Sequence, residues 1–304
     1  MRELYYLVKR NILVFVRDYA AVFFSVLSML IILLLMVVFL GKMNTDNVLW
    51  LLSEYGGERD ALQDEKNAQY LIQMWTLAGI LTVNTVTVSL TVMQTMVRDE
   101  VKGHLANFYV APVERIKIVF GYILAAWAIG SGMSFLTLLI GEVYMVMQGY
   151  AFLGISVMMK ALGMIMLNAF VYSTIGYLLA LFIHSESAWG GMLTVVGTLV
   201  GFLGAIYLPV SMLSEKIVNV LKCLPVIHGT AMMREVITKD AMEVTFEGLP
   251  DLVSRTFAKE MGIVLWNGEM QITLGKQILV LGLYAIIAIA VATIISKRRK
   301  IHDR

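Results

Sequence analysis

The chain has 304 residues, of which 59% are hydrophobic and only 15% charged, against about 25% charged in an ordinary soluble domain. Its formal net charge is +2, and it holds 4 Pro and 1 Cys. A soluble fold of this length cannot bury so much apolar surface, so the composition indicates an integral membrane protein and excludes a disordered, collagenous or disulfide-framed chain.

The predicted elements begin with residues 2–17. Leu4, Leu7, Val8, Asn11, Ile12 and Phe15 recur at helical spacing, with Lys9, Arg10 and Arg17 on other faces. That pattern suits a helix lying along the cytoplasmic surface, its cations near anionic headgroups. The alternative is a simple extension of the first span, and Arg17-Asp18 argues for a break. A helix needs about 20 apolar residues to cross a bilayer. Six segments meet this: 19–40, 71–97, 116–147, 157–182, 189–208 and 278–295. The first has too long an apolar stretch for a cleaved signal peptide. Two shorter segments, 210–227 and 226–237, carry Glu215, Lys216, Lys222, His228, Arg234 and Glu235. They read as amphipathic helices at the membrane edge or dipping part way in, the alternative being surface helices of an outer loop.

Basic residues mark the cytoplasmic side of short loops. Residues 1–18 hold Arg2, Lys9, Arg10 and Arg17; the 98–117 connection holds Arg98, Lys102, Arg115 and Lys117; the tail holds Lys297, Arg298, Arg299, Lys300 and Arg304. An even span count puts all three on one side. The chain is therefore expected in the plasma membrane as a multi-pass protein with both termini cytoplasmic. The 42–70 segment, rich in Asp and Glu, and the 209–276 segment fall outside. The small net charge conceals a cancellation between a basic side and an acidic one.

Catalytic motifs are missing. There is no phosphate-binding loop, no H-E-x-x-H and no G-x-S-x-G. His104, His184, His228 and His302 show no metal-ligand spacing. No catalytic or metal site is expected. Polar residues inside spans are costly and often functional. Asn84, Thr87, Thr91 and Gln94 share one face of the second span, and Thr82, Thr85 and Ser89 form a second strip. Asn168 lies in the fourth span. Glu142 lies toward the outer end of the third, close enough to the interface to be solvated. Asn84, Thr87, Thr91, Gln94 and Asn168 could line a substrate path or only pack helices together. Gly197, Gly201 and Gly204 of the fifth span form a face suited either to a subunit interface or to packing within one subunit. Gly130, Ser134, Thr137 and Gly141 form a similar face on the third span.

The run Val97-Arg98-Asp99-Glu100-Val101-Lys102-Gly103-His104-Leu105, continuing to Pro112 and Arg115, resembles the cytoplasmic loop of type-2 ABC transporter permeases (the ABC-2 type exporter family). Glu100, Gly103, Leu105, Pro112 and Arg115 match the family pattern, and His104 stands where Thr is common. Leu208-Pro209, then Leu224-Pro225 with Arg234 and Glu235 beyond, resembles the family's outer segment, where Pro209 and Pro225 would mark the re-entrant turn.

The resemblance implies an all-α integral membrane protein formed by one transmembrane domain over 1–304. It would have six transmembrane helices, an N-terminal amphipathic interface helix (1–18), a cytoplasmic coupling helix in 98–115 between spans 2 and 3, and an outer re-entrant helix pair in 209–276. It also implies a permease subunit that pairs with a second copy, as homo- or heterodimer, and works with a separate ABC ATPase. That partner would bind ATP and Mg; this chain would hold no cofactor and have no enzyme activity. Arg98, Asp99, Glu100, Lys102, Gly103, Leu105, Pro112 and Arg115 would couple it to the ATPase. The cargo expected by analogy is an amphipathic small molecule, drug or peptide antibiotic, with lipids and polysaccharides as other cargoes of the family. The competing class is a stand-alone secondary transporter or channel. That class calls for paired charges or broken spans near the midplane, which the spans lack. Membrane lipid is the remaining partner, and no nucleic acid is expected.

Overall fold

The computed structural model describes residues 2–35, 41–110 and 113–298. Its axis is a 41-residue helix, α4 (Ala61–Val101). Asp60 caps it, accepting from the backbone N–H groups of Leu62 and Gln63 at 3.0 and 3.4 Å, which satisfies donors that the first helical turn leaves free. From Leu71 to Val97 the helix has no charged residue. Most of that uncharged stretch is buried, and Thr87, Thr91 and Gln94 mark its half-buried side.

The neighbours of α4 surround it. They include α2 (Tyr19–Leu35), α6 (Arg115–Met147), α7 (Ile155–Ala180), α8 (Glu186–Leu203) and α10 (Pro225–Ile237). The last long helix, α13 (Leu274–Arg298), packs on α7 and α10. Among the described residues, α4, α6, α7, α8 and α13 are long and apolar enough to cross a membrane. These correspond to the second to sixth expected spans. The first, 19–40, is described only as α2, and residues 36–40 lie outside the described residues.

The α4–α6–α7 seam is built from small and hydroxyl residues. A Cβ at Gly130 would meet Ser89 Oγ at 2.6 Å, and one at Gly141 would meet Leu77 Cδ1 at 2.5 Å. Thr137 Oγ1 accepts from Asn84 Nδ2 at 2.7 Å. Thr82 and Thr85 donate back to carbonyls of their own helix. The Thr82, Thr85 and Ser89 strip and the Gly130, Ser134, Thr137 and Gly141 face are therefore packing faces, because hydroxyls that bond locally let helices approach closely.

Glu142 departs from the expectation of a solvated acid. It is fully buried, and its Oε2 accepts the Leu153 N–H at 2.9 Å. It holds the chain between α6 and α7 against the bundle, and this internal donor replaces water.

At the end of the bundle where α4 begins, α3 (Gly41–Tyr55) buries Val48 and Leu52 against it. The 209–276 segment forms a layered cap there. A short 3-10 turn (Val210–Met212) follows Pro209, then come α9 (Glu215–Leu221), α10, α11 (Lys239–Thr245) and α12 (Asp251–Glu260). A two-residue hairpin, β1 (Trp266–Asn267) with β2 (Met270–Gln271), is a small departure from an all-α fold.

Two sequence boundaries shift. The fifth span ends at Leu203, not 208, because the chain reverses at Gly204 and Ala205, the latter at φ 50°. The expected 210–227 and 226–237 pair divides at Leu224-Pro225, where Pro225 occupies the first turn of α10, the position where its missing N–H costs nothing. Only α9 has the exposed, amphipathic character foreseen for both. Every residue of α10 except Glu235 is buried, among α4, α7, α8 and α13.

Candidate functional site

The connection after α4 is the place where the sequence concentrates chemistry. α4 ends at Val101, and Gly103 turns the chain into α5 (His104–Val110) at φ +74°. A Cβ there would meet nothing within 4 Å. Glycine is required at this position by backbone geometry, not by space.

Asp99 lies one residue before the motif's acid Glu100, and its side chain is 3% exposed. Its carboxylate receives four contacts. Arg10 of α1 (Arg2–Val16) donates to both oxygens, through Nη2 to Oδ1 at 2.7 Å and through Nη1 to Oδ2. The Tyr122 hydroxyl of α6 donates to Oδ2 at 2.7 Å, and His104 Nδ1 lies 3.2 Å from Oδ1. Such a two-pronged pairing is among the stronger polar contacts a protein makes. It raises the pKa of Arg10 above its ordinary value. Arg10 also donates to Asn11 Oδ1 at 2.9 Å and stands over the Phe108 ring, 5.6 Å from its centroid. Asn11 is buried and donates to the Gly121 carbonyl at 3.1 Å.

These contacts fix which side of α1 meets the bundle. Its apolar stripe faces protein: Leu7 packs where a Cβ on Gly121 would come within 2.9 Å, and Asn11 and Phe15 are buried. The outward face carries Arg2, Tyr5, Tyr6, Lys9, Leu13 and Val16.

The other expected coupling residues sit as follows. Arg98 reaches Asp18 at 4.0 Å, beside the junction of α1 and α2. Glu100 meets His184, in the connection between α7 and α8, at 3.0 Å. Lys102 is exposed and Leu105 of α5 is buried. Arg115 donates to the Ser296 carbonyl of α13 at 3.0 Å, a favourable place for a cation near a helix C-terminus. Pro112 lies outside the described residues. The structure thus gathers α1, the 98–115 connection and the end of α13 at one end of the bundle, the basic end. Asp99 turns inward there rather than toward a partner. Sequence reasoning missed Tyr122, whose only signal is a phenol about two turns inside an apolar helix.

The expected path residues separate. Thr87, Thr91 and Gln94 are half-buried on the open side of α4. Thr87 and Thr91 donate back to Val83 and Thr87 carbonyls. Asn84 is instead buried against Thr137. Asn168 is fully buried where α7 crosses α10. A Cβ on Gly229 would collide with its Oδ1.

The glycines of α8 also divide. Gly190, Gly191 and Gly197 have open space where a Cβ would stand. The Cβ position of Gly201 is filled by the Tyr207 ring, and that of Gly204 by Ile206 and Thr230. Gly197 and Gly201 therefore do not share an open face. Pro209 and Pro225 are both buried at turns of the cap.

Among the described residues no cluster of His, Cys, Asp and Glu could hold a metal ion. No curated protein matches the sequence. A family model described as "ABC-2 family transporter protein" matches residues 59–294. That range covers α4, the 98–115 connection, the Arg234 segment and most of α13, which is more than half of the chain. The chain belongs to the ABC-2 family of transporter membrane proteins.

Proposed function

We propose that this chain is the permease subunit of an ATP-driven exporter, energised by a separate ABC ATPase that binds ATP and Mg. One observation carries this reading. In a chain of this family, α1 and the 98–115 connection are joined to each other at the bundle end where basic residues gather. That end faces the cytoplasm in this reading, and both termini lie there. α5 and the exposed residues Val101, Lys102 and Asn107 meet the ATPase. The outward face of α1, with Arg2, Lys9, Tyr5 and Tyr6, meets anionic headgroups of the plasma membrane.

Two permeases pair, as homo- or heterodimer, through the open glycine face of α8 at Gly190, Gly191 and Gly197. Thr87, Thr91 and Gln94 line the path, and α9 with α10 forms its outer cap. A path of hydroxyls and one amide, with no charge, suits an amphipathic cargo such as a drug-like molecule or peptide antibiotic. The test is co-purification of the full chain with an ABC ATPase co-expressed from the same genome, followed by assay of ATP hydrolysis. Wild type is expected to bring the ATPase down, and Glu100→Ala and Gly103→Pro to weaken the association. If wild type captures no ATPase, the reading is wrong.

A further inference from the structure

We infer that Asp99 is a positioning residue that fastens α1 to the 98–115 connection, so that the two present one docking surface to the ATPase. The inference rests on the permease reading and adds to it a specific mechanical link. The family pattern points to the acid at position 100; the fold gives its neighbour a different task.

The link is visible in the contacts. Asp99 belongs to α4, and its partners belong to three other elements: Arg10 to α1, His104 to α5 and Tyr122 to α6. Both carboxylate oxygens are occupied and the side chain is 3% exposed, so it has no face left for a partner. Arg10 is pinned from a second side by the Phe108 ring of α5. Asn11, the next residue, is tied to the Gly121 carbonyl of α6. Lifting α1 therefore breaks the Arg10 pair and the Asn11 bond together, and exposes a carboxylate with a reduced set of donors. Removing one partner of a buried pair is costly because the other charge stays uncompensated. The arrangement favours joint movement of α1, the α4 terminus, α5 and the start of α6. A push on α5 then reaches α1 without a separate contact.

The experiment uses the full chain in lipid nanodiscs with its ATPase. It compares wild type, Asp99→Asn, Arg10→Gln and the double variant. Asparagine keeps the volume at 99 and can still accept from Tyr122. The latch predicts that stimulated ATP turnover falls roughly fivefold in each single variant, the lower range of a coupling between sites. The KM for ATP should stay unchanged. The double variant should fall no further, since all three break the same link. Arg10→Lys should recover part of the loss.

A second measurement needs no ATPase. Leu7→Cys, half-buried against Gly121 of α6, is labelled with a maleimide in a Cys223→Ser chain, with and without Asp99→Asn. Labelling should accelerate roughly tenfold as α1 opens locally. Failure of wild type to capture the ATPase overturns the permease reading alone. Capture with undiminished turnover in both single variants, or unchanged Leu7→Cys labelling, overturns the latch. A loss in Asp99→Asn without one in Arg10→Gln would mean that Asp99 meets the partner directly, and also overturns it.

Discussion

The guanidinium of Arg234 lies 4.0 Å from the centroid of the Trp75 ring, face-on to a residue of the central helix. Arg234 is 1% exposed, yet its terminal N–H groups go to carbonyls rather than to a carboxylate, and Nε has no partner. Nη1 donates to Met261 and Gly262 at 3.1 and 3.4 Å, and Nη2 to Ala205 at 2.8 Å. Those carbonyls end α12 and α8, where helix dipoles favour a cation. Trp75 donates to Met261 as well, at 2.8 Å. Burial lowers the pKa of Arg234 to about 9, so it stays protonated at neutral pH. One side chain thereby joins α4, α8, α10 and α12.

The first prediction concerns this clamp. Arg234→Met removes three bonds, leaving the Gly262 and Ala205 carbonyls without this donor and Met261 with Trp75 alone, and should cost about 3 kcal/mol at roughly 1 kcal/mol per lost bond. Trp75→Phe keeps a ring face and loses one bond, costing about 1 kcal/mol. Because the two residues touch, their effects should be less than additive. Thermal unfolding of the purified chain in detergent measures all three.

A second prediction concerns pH. His228 is buried in α10, and its Nε2 lies 2.8 Å from the Lys222 carbonyl while Nδ1 has no partner. Burial pulls its pKa below the ordinary 6.5. The folded state therefore prefers the neutral ring, and the unfolded chain takes up the proton first. The stabilisation is complete above pH 6.5 and is lost as pH falls through the folded pKa. Trp fluorescence melts between pH 7.5 and 5 should show this decline. They should show less of it in His228→Gln, whose amide can still donate to Lys222.

The α8 glycines give a third. Gly197→Leu has room within one subunit, so it should leave folding intact and disrupt pairing by placing bulk on an open face. Gly201→Ala meets the Tyr207 ring and should destabilise the single subunit, by about 1–3 kcal/mol for an overpacked site. Crosslinking across α8, read beside melting curves, separates the two. Wild-type pairing in Gly197→Leu would remove α8 from the interface.

The α4 face supplies a fourth. Thr87→Val and Thr91→Val keep shape and lose a hydroxyl that is half-exposed and bonded to its own helix. Stability should change by less than about 1 kcal/mol, while transport changes if the proposed path runs along this face. Asn84→Leu breaks the bond to Thr137 inside the seam and should lower stability instead. Drug-resistance profiles of cells expressing each variant, compared with melting temperatures, distinguish path from packing.

These residues also show where sequence reading stops. Apolar length and the absence of charge were enough to locate α4, α6, α7, α8 and α13, because a bilayer imposes them on any chain. Helical spacing identified the stripe on α1, since periodicity is local. It could not say what the stripe faces, and Leu7 meets α6 rather than lipid. Spacing likewise put Asn84 with Thr87, and Gly197 with Gly201. A shared helix face is wider than one neighbour, so members of one stripe can meet different partners.

Composition and pattern thus determined that the chain is a membrane protein, which segments are long enough to span, and which ends carry the basic residues. Those properties are sums over nearby residues. The tertiary structure alone decided that Asp99 faces Arg10 across 89 positions, that Glu142 is buried, and that Arg234 rests on Trp75. Each depends on which helices meet and at what rotation, and desolvation then makes the pairing obligatory. A buried charge or amide must find a donor or acceptor wherever the fold brings one, and sequence distance places no limit on where that is.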